Sequence, residues 1–188
     1  AGTPSSVEFS ESDREAAFLV NNYGFRNLSV ASGFESGSVK ISSVASGSFL
    51  VEDYSYIGET LYYVSNKESP LSWNIYRSGA AAPLITDASY GEYLKRVGGK
   101  LAYAKIEGKN TNIYLYDAGA DKHTRLDAAP ASAAASGIVR RKTAIADRTA
   151  ALLSPLKPGS NNKSEKKRDL FVWLHGGPQR QTSIGYHP

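Results

Sequence analysis

The 188-residue chain contains no cysteine, no methionine and only three histidines. Without cysteine there are no disulfides, no thiolate nucleophile and no cysteine-ligated metal, and the redox compartment stays open. A chain with no methionine has no initiator, so something upstream is expected to have been removed or left out. No apolar run reaches the roughly 18 residues that a membrane helix needs, and residues 1–6 lack a basic start leading into an apolar stretch. Neither a transmembrane span nor an intact signal peptide is therefore expected. What is present, 41% hydrophobic and 21% charged residues, is the composition of a folded globular protein.

The net charge of +4 is partly local. Lys163, Lys166, Lys167 and Arg168 share one hydrophilic stretch, and Arg140, Arg141 and Lys142 form another. Aromatic residues are not interleaved with them as a single-strand stacking platform requires, so they read as solvated loop and strand-edge charge rather than a nucleic-acid surface. Metal chemistry has little to stand on: there is no HExxH and no calcium-loop spacing. Asp117, Asp121 and Asp127 fall where turns favour aspartate for its local hydrogen bonds. Gly98, Gly99 and Lys100 lack the spacing of a phosphate-binding loop.

From residue 7 to residue 127 the pattern is of short strands punctuated by Gly, Ser and Asn, which predicts antiparallel β structure. An internal echo organises it. Gly58–Ser65 (GETLYYVS) leads to Asn74–Arg77 (NIYR) and Leu84–Asp87 (LITD). Gly99–Ala104 (GKLAYA) leads to Asn112–Asp117 (NIYLYD) and Thr124–Asp127 (TRLD). Leu61 and Leu101 are 40 residues apart, Asn74 and Asn112 are 38 apart, and Asp87 and Asp127 are 40 apart. That is close to the roughly 40–50 residues of a four-stranded propeller blade. A fainter copy runs from Ala16–Val20 (AAFLV) to Asn27–Val30 (NLSV).

The Leu-x-Tyr pattern predicts one apolar strand face with polar neighbours on the other. A blade cannot bury both faces of its sheet alone, and propellers close with about four to eight blades. Two or three blades thus imply a longer whole. Tyr62, Tyr63, Trp73, Tyr76, Tyr114 and Tyr116 read as blade core, with a binding face as the alternative.

After Asp127 the character changes. Residues 128–136 are small and of low complexity, a linker or an Ala-rich helix weakened by Pro130. Residues 143–155 fit a strand pair or a short helix, and residues 157–168 an exposed loop. Leu170–Leu174 (LFVWL) is a continuous apolar run of the kind found in strands buried on both faces. It runs straight into His175, Gly176, Gly177 and Pro178. Two glycines and a proline after a strand make a tight turn whose N–H groups can face a ligand, as acyl-transfer enzymes use them to hold an oxyanion. A plain turn is the alternative.

At this junction the sequence resembles the prolyl oligopeptidase family of serine peptidases, in its dipeptidyl-peptidase and acylaminoacyl-peptidase-like branches. There a TolB-like propeller precedes an α/β-hydrolase domain, through a proline loop (here Leu153–Pro155), a basic stretch, an apolar strand and HGGP with a nearby Gln (here Gln179 and Gln181). The resemblance implies a mostly β fold: incomplete propeller blades over residues 1–127, a linker over 128–136, and the opening of the peptidase domain over 137–188.

It also implies that the Gly177 N–H donates to the oxyanion while Gly176 and Pro178 shape the turn. Some branches place a tyrosine, whose hydroxyl also donates, where this chain has His175. Here the histidine reads as structural.

No Gly-x-Ser-x-Gly occurs; Gly33–Gly37 has its serine one place late. His123, expected in a repeat turn, and His187 make poor triad members. The expectation is a fragment of a peptidase that hydrolyses short peptides. It would be inactive by itself and supply gating blades and one oxyanion donor. Its partners would be a peptide substrate and the remainder of the polypeptide, with no nucleic acid, membrane or cofactor. The alternative is a non-catalytic TolB-like propeller used as a protein-binding scaffold.

Overall fold

The computed structural model describes residues 5–70, 72–88, 94–107, 110–126, 138–145 and 148–155. The described part is built of β-strands, with one 3₁₀ turn at Phe34–Ser36 and no α-helix. Strands β1 (Ser5–Phe9), β2 (Glu15–Asn22), β3 (Phe25–Ser32) and β4 (Lys40–Ala45) form a four-stranded antiparallel sheet in sequence order. Strands β5 (Val51–Ile57), β6 (Thr60–Ser65), β7 (Trp73–Arg77) and β8 (Ile85–Ala88) repeat that meander. Strands β9 (Lys95–Val97), β10 (Lys100–Glu107), β11 (Asn110–Asp117) and β12 (Lys122–Arg125) repeat it again. Among the described residues the second and third meanders pair edge to edge at Lys105 and Ala88, which links their hydrogen-bond ladders, while each meander is counted below as a sheet of its own.

The registers show that the three units are copies. Phe18 faces Ser29, Tyr63 faces Tyr76, and Tyr103 faces Tyr114. One position along, Leu19 pairs Leu28, Val64 pairs Ile75 and Ala104 pairs Ile113. The faint first copy seen in the sequence is therefore a full structural unit. Its weak signature has a physical reason: Phe18 and Ser29 stand where the other copies carry paired tyrosines.

Two cores hold the units together, and each sheet contributes alternate residues to one or the other. Ala17, Leu19, Leu28 and Val30 of the first sheet pack against Tyr54, Tyr56, Leu61, Tyr63 and Tyr76 of the second. The opposite face of that second sheet, with Tyr62, Val64, Trp73 and Ile75, packs against Leu101, Tyr103 and Tyr116 of the third. Strand β6 is consequently buried from Leu61 to Ser65. This corrects the expected alternation of apolar and polar faces, which holds better for β10. A strand sandwiched between two sheets reads as a continuous apolar run.

Carboxylates tie each unit to the next at the first strand. Glu8 on β1 accepts hydrogen bonds from the Ser55 hydroxyl at 2.9 Å and the Tyr56 N–H at 3.0 Å, both on β5. Asp53 on β5 accepts the Leu94 N–H at 3.0 Å, one residue before β9. A buried N–H left unpaired costs roughly 1–3 kcal/mol, so each carboxylate fixes where the next sheet begins.

After the third unit in sequence, β13 (Ile138–Ile145) and β14 (Arg148–Pro155) form an antiparallel pair, with Ile145 paired to Arg148 at one end and Ile138 to Pro155 at the other. Of the strand pair and the helix that residues 143–155 allowed, the strand pair is the one formed.

Candidate functional site

The sequence-predicted oxyanion loop, His175, Gly176, Gly177 and Pro178, lies outside the described residues, as do the strand 170–174 leading into it, the loop 157–168, the linker 128–136, Asp127 and His187. The site can therefore be built only from what the three sheets bring together.

A cleft of about 580 Å³ opens between β1 and the β9–β10 turn, lined by Val7, Glu8, Phe9, Glu11, Asp13 and Arg96 among others. Glu8 is already committed to Ser55 and Tyr56. The remaining charges suit ion pairing, and Val7 and Phe9, each half or more exposed, supply an apolar wall. The Gly98-Gly99 pair at its rim has φ of +52° and +73°, the two-residue hairpin turn that glycine permits. It closes β9 onto β10 and is no phosphate cradle. A second depression, about 500 Å³, is walled by carboxamides and hydroxyls: Asn21, Asn22, Asn27, Ser29 and Ser43, beside the exposed Tyr23.

The tyrosines singled out in the sequence are core. Tyr62, Tyr63, Trp73, Tyr76 and Tyr116 are buried and Tyr114 is half-buried. They form the same constellation twice. Tyr63 stacks on Tyr76 and Tyr103 on Tyr114, each with ring centroids 5.4 Å apart. Beside each stack an asparagine meets a glutamate. Asn74 Nδ2 donates to Glu68 Oε2 at 3.2 Å and to the Tyr76 hydroxyl at 3.3 Å. Asn112 Nδ2 donates to Glu107 Oε2 at 2.6 Å, and the Tyr114 hydroxyl donates to the same oxygen at 2.7 Å.

The Tyr114 hydrogen bond, helped by Asn112, holds the Glu107 carboxyl below its ordinary range. Burial does the opposite for the phenols and pushes Tyr76 and Tyr103 up to about 12. Lys67 caps the first stack, its Nζ 3.8 Å from the Tyr76 ring centre, a cation–π contact. The sequence echo exposed the Asn and Tyr members. It missed Glu68 and Glu107, because one lies six residues before its asparagine and the other five.

His123 sits on β12, a strand rather than the expected turn. Its ring stacks on Tyr116 at 4.6 Å and its Nδ1 lies 3.1 Å from the Tyr103 hydroxyl. A phenol held protonated and an imidazole engaged by it make a packing contact, not a nucleophile–base pair. Asp117 is occupied in the same local way. Its Oδ1 accepts the Gly119 and Ala120 N–H groups and its Oδ2 pairs with Lys100 at 2.9 Å, which lowers its pKa. Asp121 accepts the Tyr116 hydroxyl at 3.1 Å. Among the described residues no three His, Asp or Glu side chains gather as a metal site, and no helix is long and apolar enough to cross a membrane.

Set beside known proteins, the chain matches no protein-family model and no curated protein.

Proposed function

We propose that the chain is a run of propeller blades leading into the opening of an α/β-hydrolase domain, and that it belongs to a serine peptidase of the prolyl oligopeptidase type acting on short peptides. One observation carries the reading: an apolar run ending in HGGP follows a repeated β module in the same chain. The three consecutive four-stranded meanders, each buried against the next, support its first half, since that is how a blade covers a sheet face it cannot cover alone. In this reading the blades restrict access to the peptidase and the Gly177 N–H stabilises the oxyanion that forms as a serine attacks the scissile carbonyl. Residues 1–188 hold no Gly-x-Ser-x-Gly, so in this reading they supply the blades and the oxyanion donor but not the nucleophile.

The test is fluorophosphonate labelling of two polypeptides, residues 1–188 and the full reading frame. Labelling of the longer one alone, with peptide hydrolysis, is expected. Within it, Gly177→Pro removes the N–H and should lower kcat about 100- to 1000-fold with little change in KM. A full-length protein that is never labelled sinks the peptidase reading and favours a binding scaffold. A Gly177→Pro enzyme with unchanged kcat removes the assigned role.

A further inference from the structure

The chain holds no cysteine and no methionine but 12 tyrosines and 2 tryptophans. The sulfur side chains that commonly take oxidation are thus missing, and a one-electron oxidant meets chiefly aromatic rings. Losing an electron turns a phenol into a strong acid, so a tyrosine oxidises readily only where a base stands ready for its proton. In the third sheet Tyr103 and Tyr114 stack with ring centroids 5.4 Å apart and an interplanar angle of 16°. Each phenol has its own proton acceptor. The Tyr103 hydroxyl lies 3.1 Å from His123 Nδ1, which accepts the hydrogen in the tautomer protonated at Nε2. The Tyr114 hydroxyl donates to Glu107 Oε2 at 2.7 Å, a carboxylate that also meets Lys105 at 3.8 Å. Stacked rings share a positive hole, and the Glu107 anion beside them favours it.

The twin stack in the second sheet has the same spacing and the opposite electrostatics. Lys67 Nζ lies 3.8 Å from the Tyr76 ring centre and donates to the Tyr63 hydroxyl at 3.4 Å. Glu68 also reaches the Tyr76 hydroxyl, but a cation over the ring opposes the loss of an electron. Tyr56 meets Glu15 only at 3.4 Å. Tyr116 donates to Asp121 at 3.1 Å, and its ring stacks on His123, 4.6 Å away.

We infer that the Tyr103–Tyr114 stack is a one-electron oxidation site, at which a diffusible oxidising radical takes an electron from Tyr103 while the phenol proton passes to His123 Nδ1. The products balance: a neutral tyrosyl radical, an imidazolium and the reduced oxidant. Burial pushes the Tyr103 phenol up to about 12, so its proton leaves only with the electron. The new imidazolium then lies stacked on Tyr116, which keeps the hole from moving on to that ring. Trp73 packs in the same core as Tyr103, and a hole opened on its indole is filled from the stack. The inference rests on the second and third sheets alone and stands or falls independently of the peptidase reading.

Pulse radiolysis of the 188-residue chain in azide solution tests it, with the azidyl radical as the oxidant. Tyrosyl absorbance and the electron paramagnetic resonance of samples frozen after the pulse give the yield and the site. The wild-type chain should collect most of its radical in one tyrosyl signal, formed more slowly in heavy water because a proton moves with the electron. Tyr103→Phe with Tyr114→Phe should lose most of that signal. Tyr63→Phe with Tyr76→Phe, which alters the twin stack, should keep it. His123→Leu removes the acceptor and should both lower the yield and abolish the slowing in heavy water, which a loss of packing alone would not do. Unchanged circular dichroism shows that each variant is folded; should the first pair unfold, the isotope effect in His123→Leu decides. A folded Tyr103–Tyr114 variant with the wild-type signal, an equal loss from both stacks, or a His123→Leu chain that is still slowed by heavy water would each overturn the proposal.

Discussion

Asn74 shows what the repeated asparagine is for. It is buried at the start of the third strand of its sheet, and it joins three pieces of chain at once. Its Nδ2 donates to Glu68 and Tyr76, and its Oδ1 accepts the Asp87 N–H at 3.2 Å from β8. Asn27 does the equivalent in the first sheet: it takes the Gly47 N–H and gives its own N–H to the carbonyls of Gly47 and Phe49. Asn112 takes Arg125 of β12 instead, at 2.9 Å. In each unit a planar group with both donors and acceptors holds the outgoing end of the fourth strand, a task that needs the whole carboxamide. Asn74→Ala should lower stability by about 1–3 kcal/mol, because buried partners lose their bonds and no water replaces them. Asn74→Asp should do no better, since a carboxylate would face Glu68. Urea denaturation of the two variants checks this; an Asp variant as stable as wild type would show that the donor half of the group is idle.

Turns carry the corresponding argument among the elements. Strands β2 and β3 are joined by Tyr23 and Gly24, with φ of +51° and +89°. A two-residue turn with both φ positive matches the twist of the flanking strands, and Asn-Gly is its preferred sequence. Glycine adopts the conformation freely, whereas tyrosine strains in it. The Tyr23 side chain is 99% exposed and recovers nothing by packing. Tyr23→Asn should therefore stabilise the hairpin by about 0.5–1 kcal/mol, visible as a higher thermal midpoint with unchanged circular dichroism. A lower midpoint would assign Tyr23 a contact that its exposure conceals.

The same elements show what could be read in the sequence. Tyr at alternate positions and Asn at a fixed offset gave the second and third units, because those residues sit at matching register positions. The first unit was faint because Phe18 and Ser29 stand where tyrosines stand elsewhere. What the sequence concealed was long-range. Glu8 and Asp53 look like ordinary strand carboxylates until the next sheet brings its N–H groups to them. The polar neighbours expected on β6 proved apolar and buried because two sheets, not one, cover that strand. The HGGP motif at 175–178 could be singled out for the opposite reason, since its four residues are adjacent in the sequence, and it lies outside the described residues.

For the molecule as a whole, the dominant titration is that of its buried tyrosines. Burial raises the pKa of Tyr54, Tyr56, Tyr62, Tyr63, Tyr76, Tyr103 and Tyr116 above the ordinary value of 10.0, to about 12 for Tyr76, Tyr103 and Tyr116. In both cores the phenol must be neutral to stay folded, while the unfolded chain releases its protons near pH 10. The folded state then binds more protons than the unfolded one, and stability falls as pH rises. The contribution is fully present below pH 10 and is lost as pH climbs from 10 towards 12. Each tyrosine that ionises only on unfolding adds about 1.4 kcal/mol per pH unit to the slope. Several acting together make the alkaline transition steep, because the sheets share these side chains and one face cannot open without exposing the next. Urea midpoints followed from neutral pH to above pH 10 should be flat and then drop sharply, with tyrosinate absorbance rising together with the loss of β-sheet circular dichroism. Tyr76→Phe should make the drop shallower by the share of one tyrosine. Tyrosinate absorbance that rises in full while the sheet signal persists would mean that the phenols reach water without unfolding, and that the two cores do not hold the stack together as described.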